Sequence, residues 1–102
     1  MSSPGGGPSV KLVTIGVDAQ GNPTCAPATV DIWSTVGDTV KWVSSGVAFL
    51  ITFAAGSPFA QSRFNGPMAS SGAIQQGATG NYKYTVQVGS KILDPDVKVH
   101  PP

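Results

Sequence analysis

"NYKYTVQVG", residues 81–89, alternates without a fault: Tyr82, Tyr84, Val86 and Val88 fall on one face, and Lys83, Thr85 and Gln87 on the other. A period of two, with aromatic and β-branched residues on the apolar side, is the pattern of a strand with one buried face. After it "SKILDP" turns the chain. "DVKVHPP" then returns with Val97 and Val99 inward and Lys98 and His100 outward, until Pro101 and Pro102 end the pairing.

The same rhythm runs upstream. In "TVKWVSSG" Val40 and Trp42 point inward and Lys41 outward, and in "AFLITFAA" Phe49, Ile51 and Phe53 share a face. Each of these large apolar side chains contributes about 1.5 to 3 kcal/mol when buried, and their β-branched and aromatic character opposes a helix. "ATVDIWSTVGD" sets Val30 and Ile32 against Asp31 and Trp33, with "VGD" as a tight turn into the next strand. "VKLVTIGV", residues 10–17, carries Val13, Ile15 and Val17 on one face and Val10 and Leu12 on the other, which predicts a strand lying between two layers. "DAQGNP" follows as a turn. Residues 55–81 show no period, and small residues, glycines and prolines make them one long connection with a short strand near Ala73 and Ile74.

Composition agrees with short strands. There is no glutamate, and 13 Gly with 9 Pro interrupt a chain of 102 residues, so long helices are disfavoured. That length holds one domain, assigned to residues 10–102. "MSSPGGGPS" at residues 1–9 reads as a flexible Gly/Pro-rich arm with neither the basic nor the apolar region of a signal peptide. The expected location is therefore the cytoplasm, or outside it after removal of a leader. No apolar run reaches membrane-spanning length.

Two stretches carry a family resemblance. "GDTVKW", Gly37 to Trp42, is similar to a G-D-x-V-x-W/F turn and strand, and "GNYKYTV", Gly80 to Val86, to G-x-Y-x-Y/F-x-C. Their order and spacing resemble the cupredoxins, the Greek-key β-sandwich family of plastocyanin-like copper proteins, over roughly residues 28 to 99. The resemblance implies an all-β Greek-key β-sandwich with one long loop. It also implies a type 1 copper site, in which a thiolate and two imidazoles hold copper with a weak axial thioether. Here the chain departs from the family: the first His position falls on Phe49, the Cys position on Val86, and "QVGSKILDPDV" supplies neither His nor Met. One histidine in the whole chain cannot furnish two imidazoles. The expectation is a fold without type 1 copper and without any cofactor.

Other chemistries meet similar shortages. A lone Cys25 rules out an intramolecular disulfide framework and a multi-cysteine zinc site; it is a free thiol, an intermolecular disulfide partner or a metal ligand. His100, the one imidazole base, sits two residues from the chain end, which disfavours nucleophilic catalysis. Asp94 and Asp96 flank Pro95 as turn residues rather than as a cation or acid–base pair. "PGGGP" precedes a strand and lacks the Lys-Ser/Thr of a phosphate loop. Six scattered basic residues against five acidic ones, net +1, leave no footprint for nucleic acid or an anionic membrane.

What remains is binding. Phe59, Arg63 and Phe64 in "SPFAQSRFNGP" are residue types enriched at interface hot spots, and they mark residues 55–72 as the expected contact with a protein partner or another copy. The chain is thus expected to be a non-catalytic, copper-free module for protein binding or structural assembly. Two alternatives stand beside it: a copper-handling or redox protein with a nonstandard site on Cys25 or His100, with Met68 as a further ligand, and a self-assembling subunit of a virion or surface layer.

Overall fold

A computed structural model of the chain describes residues 10–33 and 37–100; the expected arm at 1–9, Val36 of the "VGD" turn and the two terminal prolines lie outside the described residues. The chain is all-β. Its strands are β1 (Val10–Val17), β2 (Pro23–Ala26), β3 (Thr29–Trp33), β4 (Thr39–Ser44), β5 (Leu50–Thr52), β6 (Arg63–Asn65), β7 (Met68–Ser70), β8 (Gly80–Lys83), β9 (Thr85–Val88), β10 (Lys91–Leu93) and β11 (Asp96–His100). Among the described residues no helix is long and apolar enough to cross a membrane.

One layer of the β-sandwich is the sheet β2-β1-β4-β7, in which β1 and β4 run parallel from Val10↔Thr39 to Ile15↔Ser44. The remaining strands form two hydrogen-bonded sheets, β10-β9-β5-β6 and β3-β11-β8. These are joined through one long hairpin. The pairings Gln87↔Ile92 and Tyr82↔Val97 belong to a single register, because the same number of residues separates them on both arms. At its tip Gly89 and Ser90 turn the chain, Gly89 with φ +61°. The ladder breaks where Tyr84 faces Pro95. A proline has no N–H to return, so only the bond from the Tyr84 N–H to the Pro95 carbonyl survives, at 2.9 Å.

The expected inward sets fill the space between the layers. Val13, Ile15, Val40 and Trp42 come from one layer, and Val30, Ile32, Ile51, Tyr84, Val86, Val97 and Val99 from the other. Trp42 is the hub of an aromatic cluster, with ring centroids 5.1 Å from Phe64, 5.7 Å from Tyr84, 6.3 Å from Phe59 and 6.4 Å from Phe53. Several of these pairs meet edge to face, a geometry worth about 0.5 to 1.5 kcal/mol beyond the area buried.

Two expectations are corrected. The first strand does not lie between two layers, for Val10 and Leu12 remain 62% and 54% exposed. Its sheet covers one face only, and Val17 overhangs because β4 ends opposite Ile15. Residues 55–81 are not one irregular connection either. Arg63–Asn65 and Met68–Ser70 are edge strands of the two layers, joined through Gly66 and Pro67, and the strand expected near Ala73 and Ile74 amounts to a single bridge between Ile74 and Phe59. Three-residue strands with one inward side chain carry too little alternation to be read from sequence.

Gly66 is required by a close approach. Its backbone N–H donates to the Phe49 carbonyl at 2.9 Å, and a Cβ built at this glycine would overlap the Phe49 ring. Gly66→Ala should therefore destabilise the fold by about 1 to 3 kcal/mol, the usual cost of overpacking. Urea melts of Gly66→Ala, Phe49→Leu and the double variant check this: the pair should be clearly non-additive, with the smaller side chain at 49 relieving the clash.

Candidate functional site

The interior at the Phe49 end of the sandwich is hydrocarbon. Phe49 enters β5 buried and packed on Gly66, and Val86 is fully buried opposite Ile51 on the neighbouring strand. The two positions that the family resemblance assigns to a histidine and a cysteine thus belong to one apolar cluster.

Cys25, His100 and Met68 stand apart. The Cys25 Sγ lies 3.6 Å from the Tyr84 Oη and 3.7 Å from the Pro27 carbonyl, beside the Pro95 end of β11. His100 is four residues beyond Asp96 on that strand, roughly 13 Å away at 3.3 Å per residue. There it stacks on Trp33 at 4.4 Å and meets Asp31 at 3.0 Å, while the Lys11 Nζ sits 5.9 Å from the Trp33 ring. Met68 pairs with Val43, and Val43, Thr14 and Ala26 stand side by side across β4, β1 and β2. Three strand spacings separate Met68 from the Cys25 edge, roughly 14 Å. Among the described residues no three His, Cys, Asp or Glu side chains form a group able to hold a metal ion.

The polar atoms around Cys25 form a directed chain. The Trp42 Nε1–H, which can only donate, gives its hydrogen bond to the Tyr84 Oη at 3.1 Å, leaving the phenol proton free for the Cys25 sulfur. Burial raises the Cys25 thiol above its ordinary range, with the Tyr84 contact opposing. Burial, then the neighbouring thiol's charge, raises the Tyr84 phenol as well. Such a thiol is a poor nucleophile and a poor metal ligand at neutral pH, since both roles need the thiolate.

The two turn aspartates have structural partners. Asp94 Oδ1 accepts from the Thr85 hydroxyl at 3.0 Å. Asp96 meets the Lys83 Nζ at 3.0 Å and accepts from the Asn81 amide at 3.2 Å. These contacts, Lys83 first, hold the Asp96 carboxyl below its usual range.

Of the three residues expected to meet a partner, the structure leaves one at the surface. Phe59 and Phe64, 1% and 6% exposed, are core residues packed on Trp42, so their direct-contact role is corrected. Arg63 alternates with Phe64 on β6 and is exposed. No hydrogen bond or ion pair joins its side chain to another described residue. Register places Arg63 beside Thr52, Thr52 beside Thr85, and in the next row Asn65, Leu50, Gln87 and Ile92 in succession. Because Ile51, Phe64 and Val86 are buried, these intervening positions form the outer face of the sheet. Phe49, Leu50, Arg63, Asn65, Gly66 and Gln87 line an open depression of about 1020 Å³ there. The outward setting of Gln87 follows from the alternation of residues 81–89, whereas Asn65 and Leu50 carried no such signal.

Compared with known proteins, the chain matches no family profile and no curated sequence.

The Trp42–Tyr84–Cys25 chain sets a pH dependence. Tyr84 and Cys25 hold their protons more tightly in the folded state, so the unfolded chain loses protons first as pH rises. Their contribution is complete below about pH 9, the ordinary thiol value, and declines above it. Chemical melts from pH 7 to 11 should show this alkaline loss, diminished in Cys25→Ser. Tyr84→Phe should cost about 1 to 3 kcal/mol at pH 7 by orphaning the buried Trp42 N–H.

Proposed function

We propose that this chain is a copper-free, cupredoxin-like Greek-key β-sandwich that serves as a non-catalytic module for protein binding or structural assembly. The observation that carries the reading is an open, polar outer sheet face laid over a filled interior. Arg63 stands on that face with no ion partner among the described residues, and beneath it Phe49, Phe64 and Val86 leave the sandwich packed with hydrocarbon. A packed apolar interior supports the fold, and an uncompensated cation among amide side chains supports recognition at the surface. The "GDTVKW" and "GNYKYTV" motifs, in their order and spacing, support the cupredoxin likeness. One scaffold hosts many functions, so the binding role rests on the face and not on the likeness.

The copper-handling alternative finds less support. Its three candidate ligands stand apart, Cys25 on the β2 edge, Met68 on the β7 edge and His100 at the end of β11, and the raised Cys25 thiol is mostly protonated at neutral pH. The assembly reading draws on exposed apolar side chains: Val10, Leu12, Trp33 and Ile92 are all more than two-fifths open to solvent.

A copper titration decides between the first two readings. Cu(I) and Cu(II) added to the purified chain, followed by visible absorption and bound metal, should show no binding above a Cys25→Ser, His100→Ala control. Stoichiometric binding that the control loses would overturn the copper-free reading.

A further inference from the structure

The outer face of the β6-β5-β9-β10 sheet carries two charges that the fold leaves without ionic partners. Arg63 stands on the β6 edge. Asp94, just beyond β10, bonds to the hydroxyl of Thr85 and makes no ion pair among the described residues. Of the other charges on the outer side of this layer, Lys83 pairs with Asp96 and donates to the Asp94 backbone carbonyl at 3.4 Å, Asp31 meets His100, and Lys98 stands exposed on β11 of the adjoining sheet.

Arg63 and Asp94 share a row of the β6-β5-β9-β10 face. Arg63 neighbours Thr52, Thr52 neighbours Thr85, and Thr85 reaches Asp94 through its hydroxyl, so three strand spacings separate cation from anion, roughly 14 Å. That distance exceeds the screening length of about 8 Å at physiological ionic strength, so neither charge satisfies the other within one molecule. The row alongside supplies apolar surface, half-buried Leu50 between Asn65 and Gln87 and 61% exposed Ile92 beyond Gln87.

Such a face is complementary to itself. A two-fold axis parallel to the strands, passing between β5 and β9, would lay β6 of one copy over the β10 edge of the other. Arg63 then meets the second copy's Asp94 and the reverse, with Thr52 against Thr85 between the two contacts and, in the row alongside, Leu50 against Gln87 and Asn65 against Ile92. Sheets stack about 10 Å apart, within reach of an extended arginine and an aspartate combined. We propose that this chain self-associates as a two-fold dimer through the outer face of this sheet, locked by a reciprocal pair of Arg63–Asp94 contacts. The proposal rests on the binding-module reading and names its partner: a second copy, joined isologously. Four short strands offer less than the roughly 800 Å² per partner of a standard interface, so the dimer is weak and concentration-dependent.

A charge exchange tests it. Solution mass by sedimentation equilibrium, across protein concentrations up to the millimolar range, should show a reversible monomer–dimer equilibrium. Arg63→Asp and Asp94→Arg each set like charges opposite one another twice, and each should weaken dimerisation on the order of tenfold or more. The double variant restores the pairing with signs exchanged and should recover it. Concentration-dependent shifts of the Leu50, Arg63, Gln87 and Ile92 amides in the unaltered chain locate the interface without any substitution, so a variant that folds poorly does not blunt the test. A strict monomer at every concentration would overturn the proposal. So would a dimer indifferent to both single variants, or a dimer lost in Trp33→Ser and unmoved by the charge exchange, which would put the interface at the Val10–Trp33 edge. None of these outcomes touches the copper titration, which tests the underlying reading separately.

Discussion

The hydrogen bond from the Trp42 indole to the Tyr84 hydroxyl, 3.1 Å long, joins the two layers at the centre of the sandwich. Trp42 belongs to β4 in one layer, and Tyr84 sits where β8 gives way to β9 in the other. An indole N–H buried without a partner is costly, so the pair fixes how the layers face each other as well as how far apart they lie. Phe53, Phe59 and Phe64 gather around the same indole, and all three come from the segment between β5 and β7. The long connection is therefore ordered by the core it caps. Arg63 is held outward for the same reason that Phe64 is held inward.

Much of this was legible in the sequence, and the reason is periodicity. The inward sets of β3, β4, β5, β9 and β11 follow from strict alternation, and the structure buries Val30, Ile32, Val40, Trp42, Ile51, Val86, Val97 and Val99 accordingly. Alternation reports which residues share a face and is silent on whether a second layer exists to cover it. That is why Val10 and Leu12 read as buried and are not. β6 and β7 are too short to show a period. Their place comes from cross-strand partners distant in the chain, Leu50 to Thr52 and Lys41 to Val43.

The candidate site was legible only in part. Residue type drew notice to Phe59, Arg63 and Phe64, but aromatic hot-spot residues and aromatic core residues are the same residues, and only burial separates them. The rows on the outer face exist only once strands pair, since Arg63, Thr52, Thr85 and Asp94 are scattered along the chain. Likewise the distance between Cys25 and His100 is a property of β11, not of the interval between them in sequence.

The parallel pairing of β3 with β11 has a consequence for how the chain acquires its structure. Thr29–Trp33 finds its ladder partner only in Asp96–His100, the last strand described, whereas β1 pairs with its neighbour β2 as well as with β4. Contacts so far apart in sequence demand a large loop-closure entropy before they return any stabilisation, which slows folding. During synthesis β3 therefore emerges with Val30 and Ile32 uncovered, and its edge stays open until Asp96–His100 has left the ribosome. In that interval β1, β2, β4 and β7 can already pair, as can β5 with β6, and the closing arm of the last hairpin adds the partner that β3 lacks.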